Sequence, residues 1–337
     1  MKEALLYRKA EKDEVHCYLC RFNCVIAPGK RGVCGVRENV DGTLYTLVYD
    51  RIIARLVDPI EKKPLFNFLP GSTSYSIATA GCNFRCLHCQ NYDISQMPKQ
   101  RSHKIQGEKI SPEEIVAAAK EYSCKSISYT YTEPTIFFEL AYDTGRLAHN
   151  EGIKNIFVSN GYMTREMLDM INPYLDGINV DLKGFSENHY KKICRAKLEP
   201  VLDSLKYIKK LGIWLEITTL VIPGYNDSDE SFNGIADFIK NELGEDTPWH
   251  VTAFYPTYKL LDAPRTPAGT LRRARDRGLK KGLRYVYEGN IPGEGGENSF
   301  CYSCNAVLIK RLGYQIIKNS IVNSSCPECG AKIDGVF

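Results

Sequence analysis

The chain of 337 residues has no apolar run near the roughly 18 residues needed to cross a bilayer. Its start, MKEALLYRKAEKDEV, lacks the apolar core and small-residue cleavage site of an export signal. Excess charge is also scarce: 44 basic side chains against 40 acidic ones leave +4, too little for the broad positive field of a protein that lives on nucleic acid. No internal repeat or low-complexity tract interrupts the chain. With 43% hydrophobic and 25% charged residues, it has the composition of a globular protein rather than a disordered one. The expectation is a cytoplasmic protein without a membrane partner and without support for nucleic acid. Its length allows about two domains, or one large barrel with appendages.

Cysteine is abundant instead, and its thirteen copies are clustered. Four are Cys17, Cys20, Cys24 and Cys34; three are Cys82, Cys86 and Cys89; four are Cys301, Cys304, Cys326 and Cys329. Only Cys124 and Cys194 stand alone, as buried apolar residues would. In a reducing compartment such close groups bind metal more often than they form disulfides.

Six β-rich runs alternate with helical patterns: SYSIATA (74–80), KSISYTY (125–131), NIFVS (155–159), GINVDLK (177–183), WLEITTLVI (214–222) and HVTAFY (250–255). Ser111 and Glu114 have capping-box spacing and predict a helix to about Tyr122. Pro134 to His149 sets Ile136, Phe137, Leu140 and Ala141 on one helical face, and Asp227 with Glu230 marks another helix start. Strand and helix in alternation imply a parallel sheet. Glu216, Thr218, Asn179, Asp181 and Lys183 occupy the parity opposite to the apolar residues, which suits a polar lumen better than a sheet buried on both faces. The expected fold is therefore α/β, a partial (β/α)6 TIM-like barrel over 71–290. Small Cys-rich regions, 1–70 and 291–337, flank it and would gain stability from bound metal.

GCNFRCLHCQNYD follows the first strand, with Cys82, Cys86 and Cys89 spaced by three residues and two. Three thiolates on one tight loop can hold three corners of a [4Fe-4S] cluster and leave the fourth iron open. The alternative is zinc, with His88 or His103 completing four ligands. The spacing, and its place after a first strand, resemble the radical SAM superfamily. That resemblance implies reductive cleavage of S-adenosylmethionine (SAM) to methionine and a 5'-deoxyadenosyl radical that abstracts hydrogen from a substrate. It further implies SAM contacts from His88, from Glu133 in TYTEP, from Ser159 and Asn160 in SNG, from Asp181 and Lys183, and from Thr218, with Glu216 nearby. Glu133 stands without the glycines usual in the family's second-strand motif. VIPGYND resembles a turn of glycyl-radical-enzyme activases.

A narrower resemblance spans nearly the whole chain, to the radical SAM proteins of the AmmeMemoRadiSam system, relatives of pyruvate formate-lyase activating enzymes. It rests on CYLCRFNCVIAPGKRGVCGVREN, DPIEKKPLFNFLPGS, GCNFRCLHCQNYDISQ, YTYTEPTIFFE, VDLKGF and GNIPGEGGENSFCYSC. Asn67 and Tyr255 stand where that pattern has His, and Arg21 where it has Pro; the resemblance sets Tyr255 among the SAM-binding positions, where replacement of a SAM-contacting His means that the contact changes or is lost. The implied partners are a one-electron reductant such as flavodoxin or ferredoxin, and Memo-like and AMMECR-like proteins.

Cys301, Cys304, Cys326 and Cys329 have zinc-ribbon spacing, with Gly330 suited to the positive φ wanted after a knuckle. Cys17, Cys20, Cys24 and Cys34 are less regular and fit zinc or an auxiliary [4Fe-4S] cluster. Seven basic residues from Arg272 to Arg284 form a solvated helix face or a dock for an acidic partner or RNA. His250 reads as a proton carrier or as a hydrogen-bonded core residue. A glycyl-radical-enzyme activase and a non-catalytic zinc-ribbon protein binding a partner or RNA are the alternatives to a radical SAM enzyme of unidentified substrate.

Overall fold

A computed structural model describes residues 1–100, 104–291, 293 and 295–337. His103, and Pro292 and Glu294 of the GNIPGEGGENSF stretch, lie outside the described residues. The chain forms two compact units: Met1–Asp58 with Thr73–Gly177 and Glu199–Ile213, and Pro59–Ser72 with Ile178–Leu198 and Trp214–Phe337.

In the first unit, β1 (Thr73–Thr79), β2 (Ser126–Tyr129) and β3 (Lys154–Ser159) lie side by side and parallel. Arg51–Pro59 and then Glu108–Lys109 extend the sheet beyond β1. Nearly every residue of β1 and β2 is buried, as expected of parallel strands covered on both faces. The covering helices are α1 (Pro112–Glu121), α2 (Phe138–Asn150), α3 (Arg165–Ile171) and α4 (Glu199–Lys210). Helix α1 starts where the sequence predicts. The Ser111 hydroxyl accepts from the Glu114 N–H, and the Glu114 carboxylate accepts from the Ser111 N–H at 2.7 Å. Such a reciprocal cap satisfies two otherwise orphaned donors. Two small antiparallel three-stranded sheets occupy the N-terminal region, built from segments between Lys2 and Thr46.

In the second unit the order is β4 (Gly177–Asp181), β5 (Trp214–Val221), β6 (Trp249–Ala253) and β7 (Val286–Gly289), with β5, β6 and β7 parallel. Helices α5 (Asp229–Phe238) and α6 (Ala268–Lys280) pack against each other. The start of α5 corrects the sequence reading by one position: the Ser228 side chain caps it, while Asp227 accepts from the Gly224 N–H at 2.8 Å in the preceding turn. Strands β8 (Ser299–Phe300), β9 (Val307–Leu312) and β10 (Gln315–Asn319) make an antiparallel sheet. Its buried Leu308 and Ile309 join Phe66, Tyr285, Tyr287 and Ile333 in one apolar cluster. Cys124 and Cys194 are buried, as their isolation in the sequence suggested. Among the described residues, no helix is long and apolar enough to cross a membrane.

Candidate functional site

The loop leaving β1 carries Cys82, Cys86 and Cys89, the first two buried and the third half-buried. It begins at Gly81, whose φ is +106° and where an added Cβ would stand 2.7 Å from Val36 Cγ1. Only glycine accepts both that backbone and that close approach. Two N–H groups point at the Cys82 sulfur, the Phe84 backbone and the Asn160 side chain, each at 3.4 Å. The Ser95 hydroxyl lies 3.2 Å from the Cys89 sulfur. Lys99 donates to the Cys82 carbonyl at 2.7 Å and to the Phe84 carbonyl at 3.1 Å, and burial lowers its pKa. Burial, reinforced by the nearby Glu133 charge, pushes the Cys82 thiol up to about 12. Its proton would leave readily only where a cation replaced it.

Glu133 is fully buried at the end of β2. Its Oε1 accepts from the Thr135 N–H at 3.0 Å, the Thr135 hydroxyl at 2.5 Å and the Ser159 hydroxyl at 2.8 Å; its Oε2 accepts from the Asn160 N–H at 2.8 Å. Burial raises its pKa against the opposing effect of these four bonds. The carboxylate thereby fastens the end of β3 to the end of β2, and Asn160 continues the link to Cys82. Glu133, Ser159 and Asn160 are thus joined to the Cys82 loop, which also contains the buried His88.

In the second unit, Lys183 pairs with Asp181 at 2.8 Å just past β4. The Lys183 N–H donates to the Tyr190 hydroxyl, and its carbonyl accepts from the Asn226 side chain at 2.8 Å. Thr218 is buried on β5 in register with His250, and its hydroxyl has no hydrogen-bond partner among the described residues. Tyr255 is half-exposed after β6; its hydroxyl donates to the Asn290 carbonyl at 3.0 Å and its ring lies under Arg265.

Glu216 and His250 form a buried network that the sequence indicates only by parity. Glu216 Oε2 lies 2.6 Å from His250 Nε2 and accepts from the Phe66 N–H at 3.0 Å. Its Oε1 accepts from the Asn67 N–H at 2.9 Å and from Trp214 Nε1 at 3.0 Å. The His250 ring packs edge-on against Phe66 and stacks on Tyr287. This engagement fits the hydrogen-bonded core reading of His250, and Glu216 is occupied by four donors. Arg273 and Arg277 pair with Asp229 of α5, while Lys281 pairs with Asp237 and Arg284 with Glu245 and Asp334. Much of the basic segment is therefore balanced by acids of its own unit.

The sulfurs of Cys301, Cys304, Cys326 and Cys329 all lie within 4.8 Å of one another, with Cys301 to Cys329 and Cys304 to Cys326 each at 3.7 Å. Gly330 takes φ +75°, as its place after the knuckle predicts. Among the described residues, no other three Cys, His or carboxylate groups converge so tightly. Lys99 and Arg37 are polar residues near the cysteine groups that the sequence reading did not single out; Arg37 follows Cys34 by three residues and Lys99 follows Cys89 by ten, and other cations as near in the sequence hide them.

Residues 76–238 match the Radical SAM superfamily. An uncharacterized protein of Methanocaldococcus jannaschii is 46% identical over 339 residues, covering 100% of both chains. The pyruvate formate-lyase 1-activating enzyme of Escherichia coli is 24% identical over 182 residues, 50% of this chain and 71% of that one. The crystal structure of a radical SAM methyltransferase from Sphaerobacter thermophilus superposes with a TM-score of 0.51 at 16% identity, over 66% of this chain and 68% of the other, and shows the shared fold. The chain belongs to the radical SAM superfamily. It has the α/β fold of that class and is an enzyme, which sets aside the non-catalytic ribbon reading. Membership implies a [4Fe-4S] cluster, SAM and a one-electron reductant such as flavodoxin.

Proposed function

We propose that Cys82, Cys86 and Cys89 hold the [4Fe-4S] cluster, that the open iron takes SAM, and that the substrate is one from which hydrogen is abstracted. The observation that carries this reading is a loop of three thiols with two N–H donors directed at one sulfur and a lysine against its backbone. Such donors offset the charge that thiolates and sulfide accumulate. When bound, the cluster supplies the electron that breaks the carbon-sulfur bond of SAM, giving methionine and a 5'-deoxyadenosyl radical.

The chain's own residues bind and orient. Glu133 keeps acceptor capacity on Oε2 for a cationic amino group while holding Ser159 and Asn160 in place. His88, Asp181, Lys183, Thr218 and Tyr255 are assigned to SAM on the family resemblance, with Asp181 and Lys183 suited to ribose hydroxyls and a carboxylate. Cys301, Cys304, Cys326 and Cys329 are assigned to structural zinc: four sulfurs about 2.3 Å from one ion lie about 3.8 Å apart, which the 3.7 Å pairs match. The domain reading of 1–70, 71–290 and 291–337 places one cysteine group in each part.

Anaerobically reconstituted protein given dithionite and SAM is expected to form 5'-deoxyadenosine, and the Cys86→Ala variant to form none. A second reading, activation of a glycyl-radical enzyme, is favoured by the turn after β5, where Asn226 and Asp227 cap the Ile222 and Gly224 N–H groups. It requires a glycyl signal by electron paramagnetic resonance (EPR) when enzyme and partner are mixed. Membership of the AmmeMemoRadiSam group, with Memo-like and AMMECR-like partners, rests on the ordered motifs; co-purification of such partners from the source cell would test it.

A further inference from the structure

We propose that Asp58, Tyr131 and Asn91 are positioning residues for SAM: together they anchor the turn that carries Glu133 to the Cys82 loop. Glu133 is delivered by the short stretch between the end of β2 at Tyr129 and Pro134. At the near end of that stretch the Thr130 N–H still donates to the Ile77 carbonyl at 3.0 Å, so Thr130 belongs to the sheet. At the far end Glu133 is extended, with φ −134° and ψ 111°, as expected of the residue before a proline. The freedom that is left lies at Tyr131 and Thr132. Tyr131 turns the chain at φ +61°, and the Thr132 N–H closes back on the Thr130 carbonyl at 2.7 Å. A three-residue turn with a positive central φ is rare and strained, and a glycine would adopt it freely where a tyrosine does not. Such strain persists only where neighbours over-determine the conformation.

Three neighbours do so here. The Tyr131 hydroxyl donates to Asp58, a buried carboxylate near the end of the strand Arg51–Pro59 that flanks β1. Burial and this carboxylate push the phenol's pKa up, so the hydroxyl keeps its proton and remains the donor. The Asn91 side-chain amide donates to the Tyr131 carbonyl at 2.6 Å. Asn91 stands two residues past Cys89, so the cysteine loop itself grips the turn. The Thr132 hydroxyl donates to the Thr79 carbonyl at 2.9 Å, at the end of β1 from which that loop departs. The loop is thus tied to the Glu133 side at both ends, by Asn160 on Cys82 and by Asn91 on Tyr131. The four donors on Glu133 orient its carboxylate; Asp58, Tyr131 and Asn91 fix the turn before it against the Cys89 end of the loop. A cofactor that must meet this loop and the Glu133 carboxylate at once needs the two in fixed register, because affinity falls when binding has to order a loose seat.

The anchor rests on the reading of Cys82, Cys86, Cys89 and Glu133 as the SAM site given above. Its test is the SAM concentration that half-saturates the change SAM causes in the EPR spectrum of the reduced, anaerobically reconstituted full-length chain. Tyr131→Phe removes only the hydroxyl. It should keep the iron and sulfide content of the unmutated chain and raise that concentration about tenfold, the equivalent of one hydrogen bond to a charged group. KM for SAM in 5'-deoxyadenosine formation should rise in step, while kcat changes less. Asn91→Ala cuts the same tie from the loop side and should give the same rise. Asp58→Asn keeps an acceptor for the phenol and should stay within about threefold of the unmutated chain, whereas Asp58→Ala should match Tyr131→Phe. Tyr131→Gly separates the anchor from the strain: glycine accepts the turn freely but has no hydroxyl, and it should bind SAM as weakly as Tyr131→Phe. Unmutated affinity in both Tyr131→Phe and Tyr131→Gly, or lower stability to urea with SAM affinity unchanged, would overturn the proposal. If SAM leaves the spectrum of the unmutated chain itself unchanged, the reading of the SAM site fails and the anchor falls with it.

Discussion

Asn160 faces two ways: its backbone N–H donates to Glu133 Oε2 at 2.8 Å, and its side-chain amide donates to the Cys82 sulfur at 3.4 Å. The first bond survives most substitutions and the second does not. Asn160→Ala should therefore leave iron content unchanged and lower the midpoint potential of the cluster proposed for the Cys82 loop, since a donor to a ligand sulfur stabilises the reduced state. An EPR-monitored redox titration reads this directly; an unchanged potential would count against the N–H to sulfur contact.

Removing the Glu133 carboxylate has a larger effect, because four donors lose their acceptor in a fully buried place. Glu133→Ala is expected to lower unfolding stability by at least about 2 kcal/mol, given the cost of unsatisfied buried donors. It should also abolish the change that SAM causes in the EPR spectrum of the reduced cluster. Denaturant unfolding checks the first outcome and EPR with SAM the second.

His189 gives a pH dependence of definite sign. Burial lowers its pKa from 6.5 to about 4, with the Lys183 charge acting the same way. Between those values the unfolded chain takes up a proton that the folded chain refuses. The contribution is thus complete above pH 6.5 and is lost as the pH falls toward 4, to a total of about 3 kcal/mol. His189→Gln should flatten that part of the stability profile, measured by urea unfolding between pH 4 and 7.

The C-terminal cysteines should behave as a metal-dependent staple. Cys329→Ala is expected to lose one zinc per chain and to loosen the sheet of β8, β9 and β10, whose shared apolar cluster includes Cys301 and Cys326. Metal analysis and hydrogen exchange over 299–333 check this. Retained zinc would contradict the assignment.

Much of this was legible in the sequence, for identifiable reasons. The six barrel strands were found within a residue or two because β-rich runs and helical periodicity alternate cleanly, and the Ser111 cap appeared where its spacing required. The cysteine groups announced themselves by spacing. Glu216 was less legible: its parity marked it as unlike its neighbours, yet a carboxylate facing a lumen and one closed into a network with His250, Phe66 and Asn67 have the same local pattern. The Glu133 clamp was equally hidden, because two of its four donors, from Ser159 and Asn160, lie at the end of a different strand. The ring contacts of Tyr162 with Phe22 and with Phe84 join residues 140 and 78 positions apart, beyond the reach of any local pattern.

The most direct measurement is the formation of 5'-deoxyadenosine from SAM by anaerobically reconstituted protein under dithionite. The unmutated chain should form it, and Cys82→Ala, Cys86→Ala and Cys89→Ala should each reduce it to background. A single-cysteine variant that still forms 5'-deoxyadenosine, or an iron-loaded unmutated chain that forms none, would contradict the assignment of the open-cornered cluster to this loop.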